Sequence, residues 1–217
     1  MDEITIAFPK GRNLKPSVEL FNSIGIDASE FLGDTRKLLL SNPAQKVNFM
    51  VIRDTDIPTY VEYGAADIGV SGKDVLLEQQ RDLYEPIDLK YGHCRLMVAE
   101  PKDLSANDDP SSWTNIRVAT KFPRITEDFF LKKGVQVEII KLYGSIEIAP
   151  LVGLSERVVD LVSTGQTLKE NGLVEVEQIA EVTARLIVNR ASLKLKYKRL
   201  NEMIGQLREK VKGVMSS

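Results

Sequence analysis

The sequence predicts an α/β protein with largely parallel sheets. Short apolar runs alternate with amphipathic, helix-like segments along the chain, and no repeat or low-complexity tract interrupts them. The 217 residues suffice for one or two domains and a sizeable core. With 43% hydrophobic and 28% charged residues and a formal net charge of −2, neither a disordered chain nor a strongly basic nucleic-acid binder fits.

The pattern places strands over residues 4–8, 37–40, 47–52, 67–70, 96–99, 116–120, 135–140, 159–162 and 186–188. Helices are expected over 14–23, 57–63, 72–79, 125–132, 146–154 and 167–171. The polar stretch 100–112, with Asp103, Asp108, Asp109 and Pro110, reads as a surface loop. Residues 87–93 mark a crossing to a second lobe, and 174–188 form a long return segment. The expected organisation is a first lobe of residues 1–90 plus 184–217, with an inserted second lobe of 91–183. A last helix carries Leu193, Tyr197, Leu200, Ile204, Leu207, Val211 and Val214 on one apolar stripe. Lys194, Lys196, Lys198, Arg199, Arg208, Lys210 and Lys212 fall on its other faces, the usual pattern of a solvated helix.

Several chemistries lack their residues. One cysteine, Cys94, allows no internal disulfide, and a triad or a zinc site would rest on one histidine, His93. That neighbouring pair reads as packing, and Trp113 as a local apolar anchor. The start, Met1-Asp2-Glu3, has no basic leader region, and no apolar run approaches the roughly 20 residues of a membrane helix. A cytoplasmic protein is expected.

The strongest chemical signal is the run Asp160-Leu-Val-Ser163-Thr164-Gly165-Gln166-Thr167-Leu168, between a strand and a helix. Ser163, Thr164 and Thr167 supply hydroxyls, Gly165 permits a tight turn, and successive backbone N–H groups suit a phosphate monoester. The spacing is neither that of the ATPase P-loop nor that of the dinucleotide turn. Alone, the run also reads as an ordinary strand–turn–helix with Ser/Thr capping.

A longer pattern shifts that balance. Glu147, Gly153, Ser155, Val158 and Asp160, followed by Thr164-Gly165-x-Thr167-Leu168, resemble the signature of the ATP phosphoribosyltransferases. So do Pro9-Lys10-Gly11-Arg12 after the first strand, Arg53 with Asp56-Ile57, Asp67-Ile-Gly-Val-Ser71-Gly72-Lys73-Asp74, and Thr120-Lys121-Phe-Pro-Arg124. The similarity runs from the N-terminus to about Leu195.

The resemblance implies a two-lobed fold like that of type II periplasmic solute-binding proteins, with a ligand cleft between lobes. The length resembles the short form, without a C-terminal regulatory domain. The implied reaction transfers the phosphoribosyl group of 5-phosphoribosyl 1-pyrophosphate (PRPP) to N1 of the ATP adenine, releasing pyrophosphate, as the first step of histidine biosynthesis. Glu147 and Asp160 are the expected catalytic residues. Asp160, Ser163, Thr164, Gly165, Gln166 and Thr167 would bind PRPP, and Lys10, Gly11, Arg12, Arg53, Ser71, Gly72 and Asp74 would bind ATP. Lys121 and Arg124 are weaker candidates. Magnesium would ride on pyrophosphate oxygens; Asp160, at its strand end, could hold ribose hydroxyls or a magnesium ion. The implied partner is a separate regulatory subunit similar to histidyl-tRNA synthetase, in a hetero-octamer in which the catalytic chain dimerises, with no nucleic acid or membrane involved. A solute receptor using the same cleft without chemistry is the main rival; the carboxylates and hydroxyl loop exceed what such a receptor needs.

Overall fold

The computed structural model describes residues 2–33, 35–106 and 108–214; the side chain of Val214 lies outside the described part, so its place on the predicted stripe is not addressed. Among the described residues, eleven strands run in chain order: β1 Ile4–Pro9, β2 Leu39–Asn42, β3 Val47–Ile52, β4 Ile68–Gly72, β5 Tyr84–Asp88, β6 Cys94–Pro101, β7 Asn115–Thr120, β8 Gln136–Lys141, β9 Arg157–Val162, β10 Leu173–Val182 and β11 Ala184–Val188. The helices are α1 Leu14–Asn22, α2 Ile57–Glu62, α3 Lys73–Gln79, α4 Lys102–Ser105, α5 Pro123–Lys132, α6 Gln166–Glu170, α7 Arg190–Leu195 and α8 Tyr197–Val214. The chain forms two units: residues up to Gly92 together with those from Thr183 onward, and His93–Val182 between them.

The first unit is built on a six-stranded sheet in the order β2-β3-β1-β4-β11-β5. β1 runs parallel to β3 and β4, whereas β11 runs antiparallel to β4 and β5. Alternation along β1 decides what each face receives. Ile4, Ile6 and Phe8 join the larger core, where Phe8 meets Phe21 of α1 edge-on at 5.2 Å and stacks on Phe49 at 5.9 Å. Ala7 points to the other face, with Ile57 and Val61 of α2. That helix lies so close that a Cβ on Gly69 would fall 2.5 Å from Ile57 Cγ2 and 2.8 Å from Val61 Cγ2. The backbone of β4 therefore has no room for a larger residue there.

The last helix departs from the expected pattern. It breaks at Lys196 into α7 and α8. Leu200, Met203, Ile204, Leu207 and Val211 seal the larger core, but Tyr197 is 61% exposed and leaves the stripe. Two of its cations are not on a solvated face. Lys196 reaches both carboxylate oxygens of Asp67 at 2.9 Å, and Asp67 also accepts the Thr5 N–H at 2.8 Å. Arg199, only 8% exposed, donates to the carbonyls of Gln45 (2.5 Å), Lys46 (3.0 Å) and Asp2. The guanidinium thereby ties the turn between β2 and β3, whose Lys46 carbonyl also accepts from the Ile4 N–H at 3.1 Å, to the last helix.

The second unit holds a five-stranded sheet in the order β10-β6-β9-β7-β8. β7 is parallel to β8 and β9, while β6 is antiparallel to β9 and β10. Its core gathers Met97, Ala99, Ala119, Ile146, Ala149, Val158, Val162, Leu168 and Leu173. Three expectations change here. The helix expected over 146–154 is two 3-10 turns, Ile146–Ile148 and Pro150–Val152, because Pro150 lacks the N–H that would continue it. The return segment is two strands, β10 and β11, separated at Thr183. The polar stretch 100–112 is no plain surface loop: Glu100 ends inside β6 and pairs at 2.9 Å with Arg157, which is only 3% exposed. Arg157 also pairs with Asp108 at 2.5 Å and lies 4.1 Å over Trp113, whose indole donates to Asp108 at 2.6 Å. Strand β5, absent from the sequence reading, sits at the sheet edge, where Pro86 is tolerated.

Arg199→Ala should lower stability by about 1–2 kcal/mol, because it removes a buried side chain and its hydrogen bonds to three backbone carbonyls. Urea denaturation would read that loss, and Arg208→Ala on the exposed side should change stability by less than about 0.5 kcal/mol.

Candidate active site

Strand β9 delivers the central carboxylate. Val158, Asp160 and Val162 point to one face. The two valines enter the apolar core there, and Asp160 sits in the gap between them, opposite Met97 of β6. The 3-10 turns pack Ile146 and Ala149 into the same core, which holds the half-buried Glu147 at the rim. Glu147, Asp160 and residues 161–168 line a hollow of about 330 Å³.

The loop over this hollow turns at Gly165, with φ +76°. Thr164 Oγ1 accepts weakly from the Gln166 N–H at 3.4 Å, and buried Leu168 anchors α6 below. Ser163, Thr164, Gln166 and Thr167 are left exposed. The short helix and hydroxyl-rich turn leave the polar groups of the loop toward the hollow.

Burial pushes the Asp160 carboxyl above its ordinary range. The Leu161 N–H, donating at 2.8 Å, and the Lys121 charge pull it down, while the Glu147 charge pushes it further up. Lys121 follows β7, which is parallel to β9, so both residues arrive at the same sheet edge. Its ammonium lies 5.0 Å from the Phe122 ring centre. Lys121, a weaker candidate from sequence, thus belongs to this site by its field. Arg124 is exposed on α5.

The first unit gathers the other candidates by the same rule. β1, β3 and β4 are parallel, so their C-terminal ends share one edge. Lys10, Gly11 and Arg12 follow β1, Arg53 follows β3, and Ser71, Gly72 and Asp74 stand at the end of β4 and the start of α3. Lys10, Arg12 and Arg53 are exposed, while Ser71 and Asp74 are buried. Asp54, which sequence reasoning passed over in favour of Asp56, organises this edge. Its Oδ1 accepts from the Ser71 hydroxyl at 2.9 Å and the Gly72 N–H at 3.1 Å. Asp56 is exposed and caps nothing with its side chain. Only its place two residues earlier, directly after Arg53 at a strand end, signals Asp54. Cys94 is buried in β6.

A family model described as HisG: ATP phosphoribosyltransferase matches residues 53–209. An ATP phosphoribosyltransferase 2 from Geobacter sulfurreducens is 66% identical over 210 residues, covering 97% of this chain and 99% of that one. This chain belongs to the ATP phosphoribosyltransferase family. The enzyme is a pentosyltransferase and catalyses the first step of histidine biosynthesis. A solved ATP phosphoribosyl transferase (HisG:HisZ) complex from Thermotoga maritima matches with TM-score 0.82 and 32% identity, over 97% of this chain and 99% of that one. The periplasmic aliphatic sulphonate binding protein of Escherichia coli matches with TM-score 0.60 at 11% identity, over 100% of this chain and 75% of that one. That likeness places the transferase in the two-lobed periplasmic-binding-protein-like fold. Among the described residues, no three or more His, Cys, Asp or Glu side chains form a group able to hold a metal, and no helix is long and apolar enough to cross a membrane.

The upward shift of Asp160 gives a pH signature. A carboxyl whose folded value exceeds its unfolded value lends stability that is complete below the unfolded value, near 3.8, and lost as pH rises through the folded one. Asp160→Asn should therefore raise the Tm at neutral pH, and the gain should vanish as pH falls toward that value. Thermal melts across pH read this directly.

Proposed function

We propose that the 163–167 loop of this transferase holds the 5′-phosphate of PRPP and that Asp160 and Glu147 hold its ribose hydroxyls. The observation that carries this reading is the Asp160 carboxylate, with Glu147 beside it, in one hollow with a turned loop of hydroxyls and backbone N–H groups. In the reaction, N1 of the ATP adenine bonds to C1 of the ribose, and the C1–O bond to pyrophosphate breaks with its electron pair. Positive charge grows on the ribose, and the two carboxylates favour it electrostatically. No proton transfer from a histidine is needed. The residues mainly position the reactants.

Lys10, Arg12 and Arg53 meet polyphosphate oxygens, with the arginines offering a two-pronged fork. Gly11, Ser71, Gly72 and Asp74 border the nucleotide. Magnesium is taken to arrive on pyrophosphate oxygens and to keep most of its waters. A regulatory subunit similar to histidyl-tRNA synthetase is the proposed partner, in a hetero-octamer with paired catalytic chains. It is supported by the likeness to a chain of a solved HisG:HisZ complex. The substrates place the work in the cytoplasm.

The test mixes the chain with ATP, PRPP, magnesium and pyrophosphatase, with and without such a subunit, and follows phosphoribosyl-ATP by mass spectrometry. Product is expected, and greater yield with the subunit supports the partner. Thr164→Val should raise the KM for PRPP by about tenfold with little change in the KM for ATP. Asp160→Asn should lower kcat/KM for PRPP by about a hundredfold. Wild-type PRPP saturation and turnover in both variants would overturn the placement of the site.

A further inference from the structure

We propose that Arg95 and Glu175 form a positioning pair that holds the Gly165 turn from behind and so sets the affinity for the PRPP phosphate. The inference rests on the reading of the 163–167 loop as the phosphate site. Arg95 lies near the start of β6, in register with Val162, the last strand residue before the loop. Its side chain runs past Met97, with Nη1 3.9 Å from the sulfur, and forks onto Glu175: Nη1 to Oε2 is 2.6 Å and Nη2 to Oε1 is 3.0 Å. Glu175 stands on β10 where the ladder slips, since Glu175 and Glu177 face the adjacent residues Ala99 and Val98 of β6. Such an irregularity re-aims a side chain. Here Glu175 Oε1 comes to 2.8 Å from the point a Cβ on Gly165 would occupy.

The loop has open space on that side. A second hollow of about 830 Å³, lined in part by Lys102, Gly165, Lys169 and Glu175, lies there. The carboxylate held by the fork stands against the turn on that side. Its charge also matters. A bare carboxylate behind the loop repels an incoming phosphate, and the Arg95 guanidinium neutralises it. The pair therefore fixes both the shape and the sign of the field at the loop.

Steady-state kinetics on the full chain with its regulatory subunit, together with the Tm of each variant, test the pair. Arg95→Ala should raise the KM for PRPP by about tenfold, with kcat and the KM for ATP within about twofold. The double variant R95A/E175A removes the stranded charge but also the support behind the turn, so the KM for PRPP should recover only in part, to about threefold above wild type. Arg95→Lys, which keeps the charge but not the fork, should fall between wild type and Arg95→Ala, and it serves if the alanine variant does not fold. A merely structural pair would lower the Tm without this charge-dependent recovery. A PRPP KM unmoved by Arg95→Ala while Thr164→Val raises it overturns the pair. A double variant as impaired as Arg95→Ala overturns it too. Thr164→Val without effect overturns the loop reading, and the proposed role of the pair with it.

Discussion

The second unit is organised around one unfavourable placement: a carboxylate on the apolar face of a strand. Asp160 takes a position that alternation on β9 reserves for core, between Val158 and Val162. Burial opposes its charge. Its neighbours act on that charge in both directions, the Leu161 N–H and Lys121 relieving it and Glu147 adding to it. An aliphatic residue would serve the core better there; under the proposed function the carboxylate stabilises an electron-poor ribose carbon. The 3-10 turns and the Gly165 turn border the same hollow.

Both units use strand direction in the same way. Parallel neighbours end at one edge, so residues far apart in sequence meet without long side chains. In the first unit this gathers the groups after β1, β3 and β4. In the second it brings Lys121, just after β7, within the field of Asp160 on β9. Precision then comes from polar contacts to the backbone. Asp54 fixes Ser71 and Gly72, and Arg199 fixes the turn before β3.

Most of the strands and the glycine turn after β9 were legible because their signals are local. Val47–Ile52 and Asn115–Thr120 are apolar runs in themselves, and the Thr-Gly-x-Thr turn declares its positive φ through glycine. What stayed hidden depends on distant partners. Glu100 and Arg157 look like surface charges until β6 and β9 bury them against each other. Arg199 and Lys196 look solvated until the sheet supplies carbonyls and Asp67. Strand β5 carries Pro86 and weak alternation, so only its antiparallel partner β11 reveals it. The expected 146–154 helix failed on Pro150, whose missing N–H is already a break signal in the sequence.

The placement of β11 has a consequence for how the chain is made. This strand sits between β4 and β5, so residues near the C-terminus separate two strands that leave the ribosome early. The aromatic core built on β1 likewise stays open until α8 has been synthesised. The intervening unit has its last strand, β10, complete at Val182, before β11 and α8 follow. During synthesis the first half of the sheet must therefore wait, unpaired along β4, while a complete unit emerges behind it. The N-terminal part of this enzyme is thus the first to be translated and the last to be finished.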